Sequence, residues 1–163
     1  MVTFQARITA VDRFITGWLG QHGVTLSRLS LGIIFLWFGA LKFVPDWSPA
    51  ADLASRTIQQ VTFGLVRPAW GLLLLAIWET AIGVGLLTGK FLRLTLFLLA
   101  VQMAGTLLPL VLFPSETFLV FPLAPTLEGQ YIIKNLVLVS AAAVVGATVR
   151  GKGLKPEAAT RAM

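Results

Sequence analysis

Residues 94–115 run LTLFLLAVQMAGTLLPLVLFPS, with no Asp, Glu, Lys or Arg among them. A helix of about 20 apolar residues crosses the ~30 Å hydrocarbon core of a bilayer, and this stretch is long enough to do so. Working outward, the apolar run begins near Phe91, which makes residues 91–113 one span, and Pro109 is expected to kink its far end. Three further runs have matching length and character: residues 26–44, flanked by Arg28 and Lys42; residues 69–88, opened by Pro68 and closed by Gly89-Lys90; and residues 131–149, stopped by Arg150. The fold class expected is an all-α integral membrane four-helix bundle.

Composition points the same way. The 163 residues are 56% hydrophobic and 12% charged, with mean hydropathy +0.84. A soluble domain carries roughly 25% charged residues to keep its surface wetted. The net charge of +6 does not point to nucleic acid, because the basic residues sit beside apolar runs. With no cysteine in the chain, thiolate metal sites and disulfides are excluded. The single histidine, His22, cannot supply two axial haem ligands or act as base to a hydroxyl nucleophile inside the spans. No intrinsic cofactor or metal site is expected, and any redox cofactor would be organic, such as a bound quinone or lipid, or would belong to a partner.

Basic residues also set the expected orientation. Arg7, Arg13, Arg28, Lys90, Arg93, Arg150, Lys152, Lys155 and Arg161 share one side, nine of the 13 in the chain. The positive-inside rule puts that side, and both termini, in the cytoplasm. Ahead of the first span, Phe4, Ile8, Val11, Ile15, Trp18 and Leu19 recur at helical spacing. Residues 1–25 are therefore expected to form an amphipathic interfacial helix, not a cleavable signal. Residues 26–150 are the four-helix domain, and residues 151–163 a flexible basic tail. Of the outer connections, residues 45–68 should hold a short helix at 50–61. The Pro-rich, apolar residues 114–129 should lie on or dip into the outer interface, covered by protein where they dip.

Ionisable groups inside a membrane are costly, so each needs a partner or a task. Glu79 sits at mid-span in the second run and Gln102 at similar depth in the third. Lys42 ends the first span, and Lys134 and Asn135 open the fourth. These five residues, Lys42, Glu79, Gln102, Lys134 and Asn135, are the candidate ligand-binding set of one outward-facing cavity. Two lysines against one glutamate would favour an anionic or carbonyl-bearing ligand. The plainer reading is that the lysines snorkel while Glu79 pairs with one of them to hold helices together.

The segments Leu36-Trp37-Phe38-Gly39-Ala40-Leu41-Lys42-Phe43, Trp78-Glu79-Thr80-Ala81-Ile82-Gly83 and Ile133-Lys134-Asn135-Leu136 resemble those of DoxX-like membrane proteins. The branch most resembled is the RclC/YkgB-type inner-membrane branch. The resemblance covers residues 26–150 and implies a four-helix bundle in a bacterial cytoplasmic membrane. Family members include subunits of quinone-reducing oxidoreductases and proteins linked to oxidative or hypochlorite stress. It marks Lys42, Glu79 and Lys134, and departs at Asn135, where the family pattern has Asp. It implies a redox- or oxidative-stress-associated subunit that binds a quinone or lipid-like ligand. Expected partners are the lipid bilayer and other membrane or redox subunits or further copies of the chain. A structural or assembly subunit, or a small proton-coupled transporter, are the alternatives.

Overall fold

Helix formation in this chain follows from its long apolar runs, and the stops follow from Pro, Gly and charge. The computed structural model describes the backbone of residues 2–149, with the side chains of Thr9 and of residues 11–149. Arg150 and the basic tail at 151–163 lie outside the described residues. Among the described residues, four helices are long and apolar enough to cross a membrane. They belong to α1 (Val2–Leu41), α3 (Pro68–Thr88), α4 (Leu92–Leu107) with its short continuation α5 (Pro109–Leu112), and α7 (Leu127–Thr148). The connections hold α2 (Ala51–Val61), α6 (Pro114–Thr117), and strands β1 (Phe118–Val120) and β2 (Ala124–Pro125). The chain is an all-α membrane bundle.

The first helix differs from expectation. Residues 3–21 and the first span are one unbroken helix of 40 residues, about 60 Å at ~1.5 Å per residue. No proline interrupts it, so the backbone ladder continues through residues 22–25 where a break was expected. From Val11 on, its apolar stripe stays bare, with Val11 57% and Ile15 49% exposed. His22 stacks on Trp18 with ring centroids 4.9 Å apart.

Close packing of α1 on α3 sets the frame of the molecule. A Cβ built on Gly39 would lie 2.7 Å from the Thr80 amide nitrogen, and one on Gly32 would lie 2.8 Å from Leu87 Cγ. One on Gly83 would run into the Leu36 backbone. Small residues let membrane helices approach to backbone contact, and here they fix an antiparallel register pairing 32 with 87, 36 with 83 and 39 with 80. In that register α1 stops at Leu41 beside Glu79, half-way along α3. The remaining turns of α3, toward Pro68, run on without it. There α2 takes its place, with Ile58 packed against Gly71.

The Lys90 end of the bundle is better filled. Leu31, Phe35, Ile82, Leu86, Leu99 and Met103 are buried together with Ala142 and Val145. Arg28 reaches from α1 to the carbonyls of Leu86 and Leu87, where α3 ends at Gly89 in the left-handed conformation (φ 70°). A cation on the free carbonyls at a helix C-terminus is favoured by the helix dipole. Outward faces carry large apolar side chains such as Trp37, Leu74 and Phe97, as lipid contact requires.

The expected disturbance at Pro109 is a break between α4 and α5, since proline offers no amide hydrogen and crowds the preceding turn. Residues 114–129 are more ordered than their composition implies. β1 and β2 pair antiparallel, Phe118 opposite Pro125 and Val120 opposite Ala124. The Thr126 amide donates to the Thr117 carbonyl at 3.0 Å, and the Thr126 side chain caps α7 by accepting from the Gly129 amide at 3.2 Å. Such pairing satisfies backbone groups that would be costly to leave bare at a membrane surface.

Candidate functional site

Lys42 is the first residue past α1. Its Nζ donates to Glu79 Oε2 at 2.7 Å and to the Phe38 carbonyl at 3.3 Å. Gln102 on α4 donates from Nε2 to Glu79 Oε1 at 3.0 Å. Each carboxylate oxygen of Glu79 thus has its own donor, one just past the end of α1 and one on α4. The Lys42 and Glu79 side chains are 7% and 12% exposed, so the charges are held almost wholly away from solvent, where only close pairing makes them tolerable.

Beside this triad, toward α2, lies a cavity of about 300 Å³. It exists because α1 has ended while α3 continues. Leu53, Ala54, Thr57 and Ile58 of α2 roof it, Leu75, Thr106 and Pro109 wall it, and Lys42, Glu79 and Gln102 form its floor. The volume is at the small end of the range for ligand sites, and the mix of mostly apolar walls with a few convergent polar groups is what such sites share. A groove of about 340 Å³ between α1 and α7 is lined by Leu26, Ser27, Ile34, Val137 and neighbouring residues with no ionisable group, so it offers no comparable chemistry. A family model described as DoxX matches residues 23–113, more than half of the chain.

This chain belongs to the DoxX family. The DoxX match takes in Lys42, Glu79 and Gln102 and ends before Lys134 and Asn135. Neither the curated proteins nor the solved structures contain a match to the chain.

The structure brings together three of the five residues singled out in the sequence. Lys134 is exposed on α7, its Nζ 5.3 Å over the Tyr131 ring. Asn135 is half-buried and does not line the cavity; α7 contributes only Ile132. The reason is rotational. At this end of α7 the inward residues are Gly129 and Ile132, and on the helix Lys134 lies about 170° and Asn135 about 90° from the direction midway between them. The expected surplus of positive charge is therefore not present at the site, where one lysine balances one glutamate.

Two features of this DoxX chain escaped the sequence reading. Thr57 on α2 lines the cavity, although nothing in a short connecting helix marks it as a roof. Beyond the cavity, Arg56 is clamped by both carboxylate oxygens of Glu116, Nη1–Oε1 at 2.7 Å and Nη2–Oε2 at 2.6 Å. It also donates to Asp52 Oδ2 at 3.0 Å and lies 5.2 Å over the Phe113 ring. The guanidinium bond holds the Glu116 carboxyl below the usual range, and the same bond pushes the Arg56 guanidinium up. The Asp52–Arg56 spacing of four residues was the one legible signal, and it points to α2 alone, not to its tie with α6.

Proposed function

We propose that this DoxX-family chain binds a neutral, lipid-soluble, carbonyl-bearing molecule of the quinone or lipid-like class, as a subunit or sensor associated with membrane redox chemistry or oxidative stress. The observation that carries this reading is the Lys42–Glu79–Gln102 triad opening onto an apolar-walled cavity of about 300 Å³. Lys42 has three N–H donors and uses two; the Gln102 amide has two and uses one. One free donor on each can meet a ligand carbonyl, while the balanced Lys–Glu charge disfavours an ionised head group. The redox setting, and kinship with the RclC/YkgB-type branch, rest on the resemblance of the span-one, span-two and span-four segments. By the positive-inside argument, the α2 end faces away from the cytoplasm, so the ligand would bind in the outer half of the bundle.

Native mass spectrometry of gently extracted protein tests this. The wild-type chain is expected to retain a small lipid-soluble molecule. Ala54→Trp, which fills the roof, is expected to lose it while keeping the same thermal midpoint. A second reading, in which the triad only joins helices, draws on both Glu79 oxygens already being engaged. Protein that carries no such molecule, with Glu79→Gln changing stability alone, would establish that reading instead.

A further inference from the structure

Hydrogen-bond capacity in the cavity is lopsided. Thr57 Oγ1 donates to the Leu53 carbonyl at 2.7 Å, Thr62 Oγ1 to the Ile58 carbonyl at 2.7 Å, and Thr106 Oγ1 to the Gln102 carbonyl at 2.9 Å. All three threonines line the cavity. Each hydroxyl has one hydrogen and two lone pairs, and each hydrogen is spent on the threonine's own helix, so what these side chains retain is acceptor capacity. The Glu79 carboxylate adds two acceptor oxygens and the Gln102 amide one. Against these six oxygens stand two free donors, the remaining N–H groups of Lys42 and Gln102. The donors both lie at the floor, whereas Thr57 and Thr62 belong to the roof and Thr106 stands one turn from Gln102 toward it.

We infer that the cavity selects ligands that carry a hydrogen-bond donor, an O–H or N–H, at the end facing Thr57 and Thr106. This rests on the binding reading above and narrows it to a class. A fully oxidised quinone ring has only acceptors; its two-electron-reduced, dihydroxy form has an O–H at each end of the ring, and each hydroxyl oxygen can also accept. The reduced form can therefore accept from Lys42 and Gln102 at the floor and donate to a threonine oxygen at the roof, which the oxidised form cannot do. A buried acceptor facing a ligand acceptor without a bridging hydrogen is penalised on both sides, so the site favours the hydroquinone.

The test is anaerobic equilibrium binding to purified protein in nanodiscs, with a short-chain benzoquinone and its hydroquinone as the two probes. The hydroquinone is expected to bind about tenfold more tightly, the equivalent of one well-made neutral hydrogen bond. Thr57→Val with Thr106→Val is expected to abolish the difference between the two probes. Thr57→Ser with Thr106→Ser, which keeps both hydroxyls, is expected to restore it, and this separates loss of the acceptors from a change in shape. Equal binding of both probes to the wild-type chain, or tighter binding of the quinone, overturns the inference and leaves the binding reading standing. Binding of neither probe overturns both.

Discussion

Replacing Lys42 with methionine leaves the Glu79 carboxylate facing an apolar cavity with Gln102 as its remaining donor. Breaking a buried pair from one side costs about 3–5 kcal/mol because the other charge is stranded. Lys42→Met is therefore expected to lower the stability measured in detergent by that order, and Glu79→Gln by less, because the amide oxygen still offers the Lys42 ammonium an acceptor. The double variant should recover much of the loss, giving a coupling of about 2 kcal/mol in a double-mutant cycle. Additive effects in the cycle would mean that the 2.7 Å contact contributes little. Gln102→Leu removes a donor to Glu79 and one of the two free donors at the floor, so it is expected to weaken ligand retention more than stability. At this scale the sequence was informative because charges inside an apolar run are rare and must be accounted for. It misled at Lys134 and Asn135, since which face of α7 turns inward depends on packing against α1 and α4, and α7 shows no strong apolar stripe from which its rotation could be read.

Among the helices, the decisive contacts are made by residues with nothing to show in a hydropathy profile. Gly83→Val should force α1 from α3 and cost about 1–3 kcal/mol as overpacking, read as a lowered thermal midpoint. Gly20 has nothing within 4 Å of the position a Cβ would take. Gly20→Ala is accordingly expected to be neutral or to stabilise by about 0.5–1 kcal/mol through helix propensity, and equal damage from both variants would contradict the register described here. Arg28→Met removes a charged donor from the end carbonyls of α3 and should cost about 1.5–3 kcal/mol. In the sequence, Arg28 looked like one more basic residue beside a span. Its capping role depends on a partner 58 residues away, and no local pattern encodes that. The spans themselves were legible because length and apolarity are local properties. The continuity of α1 through residues 22–25 was not, because an amphipathic stripe is compatible with a helix that bends into the interface and with one that runs straight.

For the molecule as a whole, the roof over the cavity is tied down at an exposed site, where Arg56 on α2 meets Glu116 on α6. Glu116 titrates lower in the folded protein than when unfolded. Its contribution is therefore complete above its unfolded value, about 4.3, and is lost as pH falls through the depressed folded value. Asp52, the other carboxylate on Arg56, is too exposed to replace it. A spin label at Gln60→Cys, in a chain with no native cysteine, is expected to keep constant mobility from neutral pH to about pH 4.3 and to loosen below. Glu116→Gln should loosen it throughout and flatten the acid response. Raised salt should act like acid, because exposed pairs are screened. An acid response that persists in the Glu116→Gln variant would place the titrating group elsewhere.

The early end of α1 has a consequence for how such a chamber can change. Most binding sites are resized by trading one side chain for another, in steps of a methyl or a ring. Here the empty space is the room that the next turns of α1 would have occupied, so its depth is set by chain length. Each helical turn inserted after Leu41 would advance α1 by about 5.4 Å along α3, carrying Lys42 away from Glu79 as it filled the space. Capacity and charge pairing are thus geared to one dimension, and lengthening α1 enough to close the chamber would also dismantle its floor.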